Sequence, residues 1–60
     1  MTYLISMRHA NGTWNEILVF DGLLGAKEMA RISTTKDIEY VEIRRYYSAH
    51  MLGAPIIVKY

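Results

Sequence analysis

Cysteine is absent from this sequence, proline occurs once and histidine twice. The missing cysteines exclude disulfides, and two isolated histidines, His9 and His50, cannot supply the closely spaced ligands of a structural zinc site. A chain of 60 residues buries only about 60% of the surface its unfolded form exposes. One core must therefore hold the fold without either staple, and self-association or a partner is the remaining common support. Charge of one sign is also lacking: seven Lys or Arg stand against six Asp or Glu, too even a balance for a general nucleic-acid or membrane footprint. No run approaches the roughly 18 apolar residues of a membrane span, and Met1 to Arg8 lacks the positive start and the apolar core, about 7–15 residues long, of a signal peptide. The expectation is a single cytosolic domain, residues 1–60.

What is present is a globular composition, 52% hydrophobic and 22% charged, outside the signature of disorder. Tyr3 to Phe20 holds two β-rich runs around Asn11-Gly12, a pair that tolerates the positive φ angles of a two-residue type I′ hairpin turn. That turn predicts a register in which His9 faces Trp14, Met7 faces Glu16, Ile5 faces Leu18 and Tyr3 faces Phe20. Asp21 then offers a cap to a helix over Gly22 to Ile32, with Leu23, Ala26 and Met29 or Ala30 on its inner side and Gly25 as a weak point. Ile38 to Tyr47 alternates as a strand, with Val41 and Ile43 on one face and Tyr40, Glu42, Arg44 and Tyr46 on the other. Ser48 to Ala54, which contains Gly53, reads as an irregular connection, and Pro55 fits at the start of a last strand from Ile56 to Tyr60. The predicted fold class is α+β: ββαββ, a four-stranded, mainly antiparallel sheet with one helix packed on one face, and the third strand beside the first.

Catalytic groupings are sparse. No serine lies in a nucleophile motif, and the two histidines sit near opposite ends of the chain. His9 is expected to pack at a strand end against Trp14, and His50 to be solvated. Glu39 and Glu42 fall on opposite faces of a strand, and Asp37 and Glu39 sit at its entrance as solvated charge. Asp21-Gly22-Leu23-Leu24-Gly25 lacks the glycine spacing of a phosphate-binding turn. The expectation is therefore no enzyme, no catalytic residue, no metal and no cofactor.

Arg44-Arg45-Tyr46-Tyr47 is the one dense basic and aromatic cluster. Alternation divides it between two faces, and Tyr47 could instead close the core while the arginine stems cover apolar sheet. Guanidinium and aromatic groups hold single-stranded nucleic acid, and they also dominate protein interfaces. Because one helix can shield only one side of the sheet, the other is expected to present Leu4, Ile17, Val19, Tyr40, Arg44 and Tyr46 as a partner-binding face. The leading reading is a non-enzymatic protein-binding module, a homodimer using that face. The alternative is a small nucleic-acid-binding domain using Arg44 and Tyr46, and a third reading is an orphan enzyme subunit.

Trp14, Phe20-Asp21, Ala26, Ala30 and Tyr40-Val41-Glu42-Ile43 form a hairpin, helix and strand pattern. Over residues 14–43 it resembles short host-directed proteins of bacteriophages and mobile elements, the inhibitor or anti-CRISPR type. The resemblance implies an inhibitor of a host protein or protein complex that works by surface occlusion in the host cytoplasm. It carries over no contact residue.

Overall fold

The computed structural model describes residues 1–58. Its elements run β1 (Tyr3–His9), β2 (Trp14–Val19), α1 (Gly22–Ser33), β3 (Ile38–Ser48), β4 (Met51–Leu52) and β5 (Ile56–Val58). The strands form one sheet in the order β2-β1-β3-β4, with β5 also on β3, and every pairing is antiparallel. This is the α+β architecture expected, and β3 does lie beside β1. The irregular connection expected after Ser48 holds a two-residue strand, so β4 and β5 are two pieces of one return path along β3. The expected continuation of the last strand to Tyr60 lies outside the described residues.

The hairpin departs from expectation by one residue. Gly12 has φ +90°, but no other residue before the helix, Asn11 included, has positive φ, which excludes a type I′ turn. The Gly12 N–H donates to the His9 carbonyl at 2.9 Å and the His9 N–H to the Thr13 carbonyl at 2.8 Å. Ala10, Asn11 and Gly12 thus form a three-residue loop, a type I turn closed by a left-handed glycine. Asn11 Oδ1 stiffens it by accepting from the Thr13 N–H at 3.0 Å and its hydroxyl at 2.7 Å. The extra loop residue slips β2, so that Tyr3 faces Val19, Ile5 faces Ile17 and Arg8 faces Trp14. A one-residue slip turns every β2 side chain to the other face of the sheet.

The core follows from that register. Tyr3, Ile5 and Met7 of β1, Val19 of β2, and Val41 and Ile43 of β3 share one side and are buried beneath α1, with Ile5 and Ile43 fully enclosed. Ala26 and Ala30, one helical turn apart, are also fully enclosed. Their small side chains let the helix axis approach the sheet, chiefly over β1. Met29 and Ile32, at the margin of the inner face, remain partly or largely exposed.

Asp21 does not cap the helix as expected: its side chain makes no capping hydrogen bond. It packs instead over Gly25, where an added Cβ would stand 2.6 Å from the Asp21 Cβ. The glycine that weakens the helix in isolation is therefore what admits the chain entering it. Gly25→Ala, normally worth about 1 kcal/mol of gain in a helix, is expected to lower stability by about 1 kcal/mol because of this overlap. A urea denaturation midpoint below that of the native chain checks it. At the other end, the Thr34 hydroxyl donates to the Ala30 carbonyl at 2.6 Å and satisfies one of the helix's terminal acceptors.

Candidate functional site

Alternation along β1 and β3 places Leu4, Tyr40, Arg44 and Tyr46 on the side of the sheet away from α1, as expected. Ile17 and Val19 are corrections. The slipped register turns both toward the helix, where Val19 is 6% exposed and part of the core and Ile17 packs against it. Their places on the uncovered face are taken by Trp14, Glu16 and Leu18, which stand opposite Arg8, Ser6 and Leu4. These three were not anticipated, because the assumed two-residue turn directed them to the core.

At one end of this face the Arg8 guanidinium carbon lies 5.8 Å from the Trp14 ring centroid and 5.6 Å from that of Tyr40. The two rings meet edge to face, 5.9 Å between centroids. Cation–π attraction and the aromatic pair hold the three side chains together. Arg8 is also 3.8 Å from Glu39. The expected pairing of His9 with Trp14 is absent for the same reason of register. His9 Nδ1 instead lies 2.6 Å from Asp37 Oδ2, and the Ala10 N–H donates to the Asp37 carbonyl at 2.7 Å. The Thr35 hydroxyl, and after it His9, hold the Asp37 carboxyl below its ordinary range. A depressed carboxylate pKa contributes stability at neutral pH and loses it as pH falls through the depressed value. This latch ties the hairpin loop to the entrance of β3. Asp37 is thus engaged by two side chains, although it lies in solvent as expected.

In the middle of the face Ser6 and Glu42 are buried, 8% and 6% exposed. Glu42 Oε2 accepts from Arg44 Nε at 2.8 Å, a pair formed two residues apart on one strand face. The Ser6 hydroxyl lies 3.5 Å from Glu16 Oε2. Glu42 is thus an enclosed, paired anion. Arg45 and Tyr47 point to the helix side, where the Arg45 guanidinium covers the Tyr47 ring at 4.9 Å. Tyr47 is 54% exposed and does not close the core.

At the far end lies an open groove of about 500 Å³ lined by Leu4, Glu16, Leu18, Tyr46, Ala49 and Leu52. The β3–β4 turn raises its outer wall: Tyr46 pairs with Leu52, and the Gly53 N–H donates to the Arg45 carbonyl at 2.8 Å. Leu4 forms the floor between Leu18 and Arg44. Leu4, Leu18, Ala49 and Leu52 give the groove apolar walls, and the Tyr46 phenol and the Glu16 carboxylate are the polar side chains that line it. His50 is exposed in the turn, its N–H donating to the Ser48 hydroxyl at 3.3 Å.

Among the described residues no three of His, Cys, Asp and Glu converge on a point that could hold a metal ion. Among the same residues no helix is long and apolar enough to cross a membrane. No protein family, curated protein or solved structure matches the chain.

Proposed function

We propose that the chain is a non-enzymatic protein-binding module whose uncovered sheet face takes a protein surface presenting an apolar anchor side chain with a basic group beside it. The anchor enters the groove over Leu4, and the basic group meets Glu16 at its wall. The observation that carries this reading is the groove itself, a recess of about 500 Å³ in which Leu4, Leu18, Ala49 and Leu52 stand beside the Tyr46 phenol and one carboxylate, that of Glu16. Aromatic and arginine side chains along the rest of the face are the types that dominate protein interfaces. The resemblance of residues 14–43 to host-directed proteins supports an inhibitor that acts by occluding its target's surface, in the cytoplasm of a host.

Nucleic acid fits the face less well. Phosphate contacts need available cations, whereas Arg44 is held by Glu42 at 2.8 Å and Arg8 has Glu39 at 3.8 Å. Glu16 adds a further negative charge to the same face.

Panning a displayed peptide library against the immobilised chain tests the proposal. Enriched peptides are expected to share an apolar residue next to Lys or Arg, and Leu52→Glu in the chain is expected to weaken their binding at least tenfold. Arg45→Ala, on the opposite face, is expected to leave it unchanged. Failure to enrich such peptides, or full retention of binding by Leu52→Glu, would overturn the reading. Capture of a single-stranded oligonucleotide with affinity falling steeply as salt rises would replace it with the nucleic-acid alternative.

A further inference from the structure

We propose that the outer edge of β2 pairs antiparallel with β2 of a second copy, joining two sheets across a two-fold axis normal to them. The inference does not need the groove reading, although Glu16 and Leu18 belong to both surfaces, and rests on the backbone and side chains of residues 14–20.

The hydrogen bond from the His9 N–H to the Thr13 carbonyl fixes which β2 residues bond inward. In an antiparallel ladder bonded pairs alternate, so Asn15, Ile17 and Val19 exchange bonds with β1. Trp14, Glu16 and Leu18 direct their N–H and C=O groups away from it. Among the described residues strand β2 ends the sheet, leaving this row open. Natural edges are protected by lysine, proline, bulges or very short strands. Here the six residues Trp14–Val19 contain neither lysine nor proline, their one charge is Glu16, and their pairing with β1 is regular. Exposed apolar side chains gather on the same segment: Trp14 is 50% exposed, Leu18 43% and Phe20 71%.

Symmetry selects the occupant and its register. A two-fold axis normal to the sheet keeps both helices on one side and requires partnered residues to share a face, which leaves two central registers. One sets Glu16 directly against the partner's Glu16, a like-charge pair that destabilises a sheet. The other centres on Ile17 against the partner's Ile17. It places Glu16 opposite the partner's Leu18 and, one residue beyond the strand, Trp14 opposite the partner's Phe20. That second register removes the charge clash, matches the outward-pointing backbone groups and draws the exposed apolar side chains together. The half-buried Ile17 side chains meet under the two helices and extend both cores. This gives a chain without disulfide or metal the staple that its size calls for.

The chain is short enough for chemical synthesis, so the edge can be blocked without changing any side chain. In sedimentation velocity the native chain is expected to show twice the mass of its 7.0 kDa monomer, and an analogue N-methylated at Leu18 the monomer mass with an unchanged far-ultraviolet circular dichroism spectrum. Leu52→Glu, in the groove wall and away from the edge, is expected to remain dimeric, which separates this test from that of the groove. Single cysteines report the register in a chain that has none of its own. Two copies of residue 17 face one another at about 4.5 Å between Cα atoms, inside disulfide range. Two copies of residue 16 stand about 8 Å apart. Ile17→Cys is therefore expected to cross-link on oxidation and Glu16→Cys not to. A monomeric native chain, a dimeric N-methyl analogue, or cross-linking at residue 16 in place of 17 would overturn the proposal.

Discussion

Val19→Glu is expected to leave the chain unfolded, while Leu18→Glu, one residue away, is expected to fold. Val19 sits opposite Tyr3 and is 6% exposed. A carboxylate there enters a core built from Tyr3, Ile5, Ile43 and the helix alanines. An unpaired buried charge costs several kcal/mol even after relaxation. A domain of this size has only about 3–9 kcal/mol in total, at 0.05–0.15 kcal/mol per residue. Leu18 points to the opposite side and is 43% exposed, so a carboxylate there stays in water. Circular dichroism melts of the two variants check the register directly. The two-residue turn read from Asn11-Gly12 requires the reverse pair of outcomes.

The second large effect concerns a residue that looks expendable on an exposed face. Arg44→Ala is expected to destabilise the fold by about 2 kcal/mol, because it strips the partner from Glu42, whose side chain is 8% exposed. In a domain of this size that corresponds to a fall of roughly 10 °C in melting temperature. Because the Arg44 side chain is itself 37% exposed, water replaces part of what is lost, which keeps the expected cost below that of a fully enclosed pair. Glu42→Gln in the Arg44→Ala background removes the orphaned charge and is expected to recover at least half of the loss. Were the cost due to lost packing of the arginine stem, the second substitution would recover nothing. Arg44 is consequently both a surface group and a structural one, and its removal does not report on partner binding alone.

The order of elements was legible because each carries its own periodicity. Val41 and Ile43 alternate cleanly against Tyr40, Glu42, Arg44 and Tyr46, so β3 could be assigned a buried and an open face from sequence. The helix declared its inner side through Ala26 and Ala30. Strand β2 could not be oriented in this way, because Ile17, Leu18, Val19 and Phe20 form an unbroken apolar run without alternation. Its facing depended wholly on the turn, and Asn-Gly suits both a two-residue loop and a three-residue loop with glycine last. Both put Gly12 at positive φ, yet they differ by one residue in register. Four of the six expected contact residues, those on β1 and β3, therefore lie on the open face, and the two on β2 do not. The groove was not legible, since its outer wall depends on how the chain turns back at Ser48 and pairs Leu52 with Tyr46 across an irregularity in the ladder.

Trp14 is the sole tryptophan of the chain, and its position has an optical consequence. With its ring and that of Tyr40 meeting edge to face and the Arg8 guanidinium over its ring, its near-ultraviolet dichroism and emission report on one corner of the sheet. Half of its surface is in water, so a ligand that covers this corner shifts the emission to shorter wavelength without any added label. The same residue stands at the head of the open edge, where strand pairing would dry it as well. Intrinsic fluorescence therefore registers either event, and its dependence on protein concentration distinguishes self-pairing from capture of a partner.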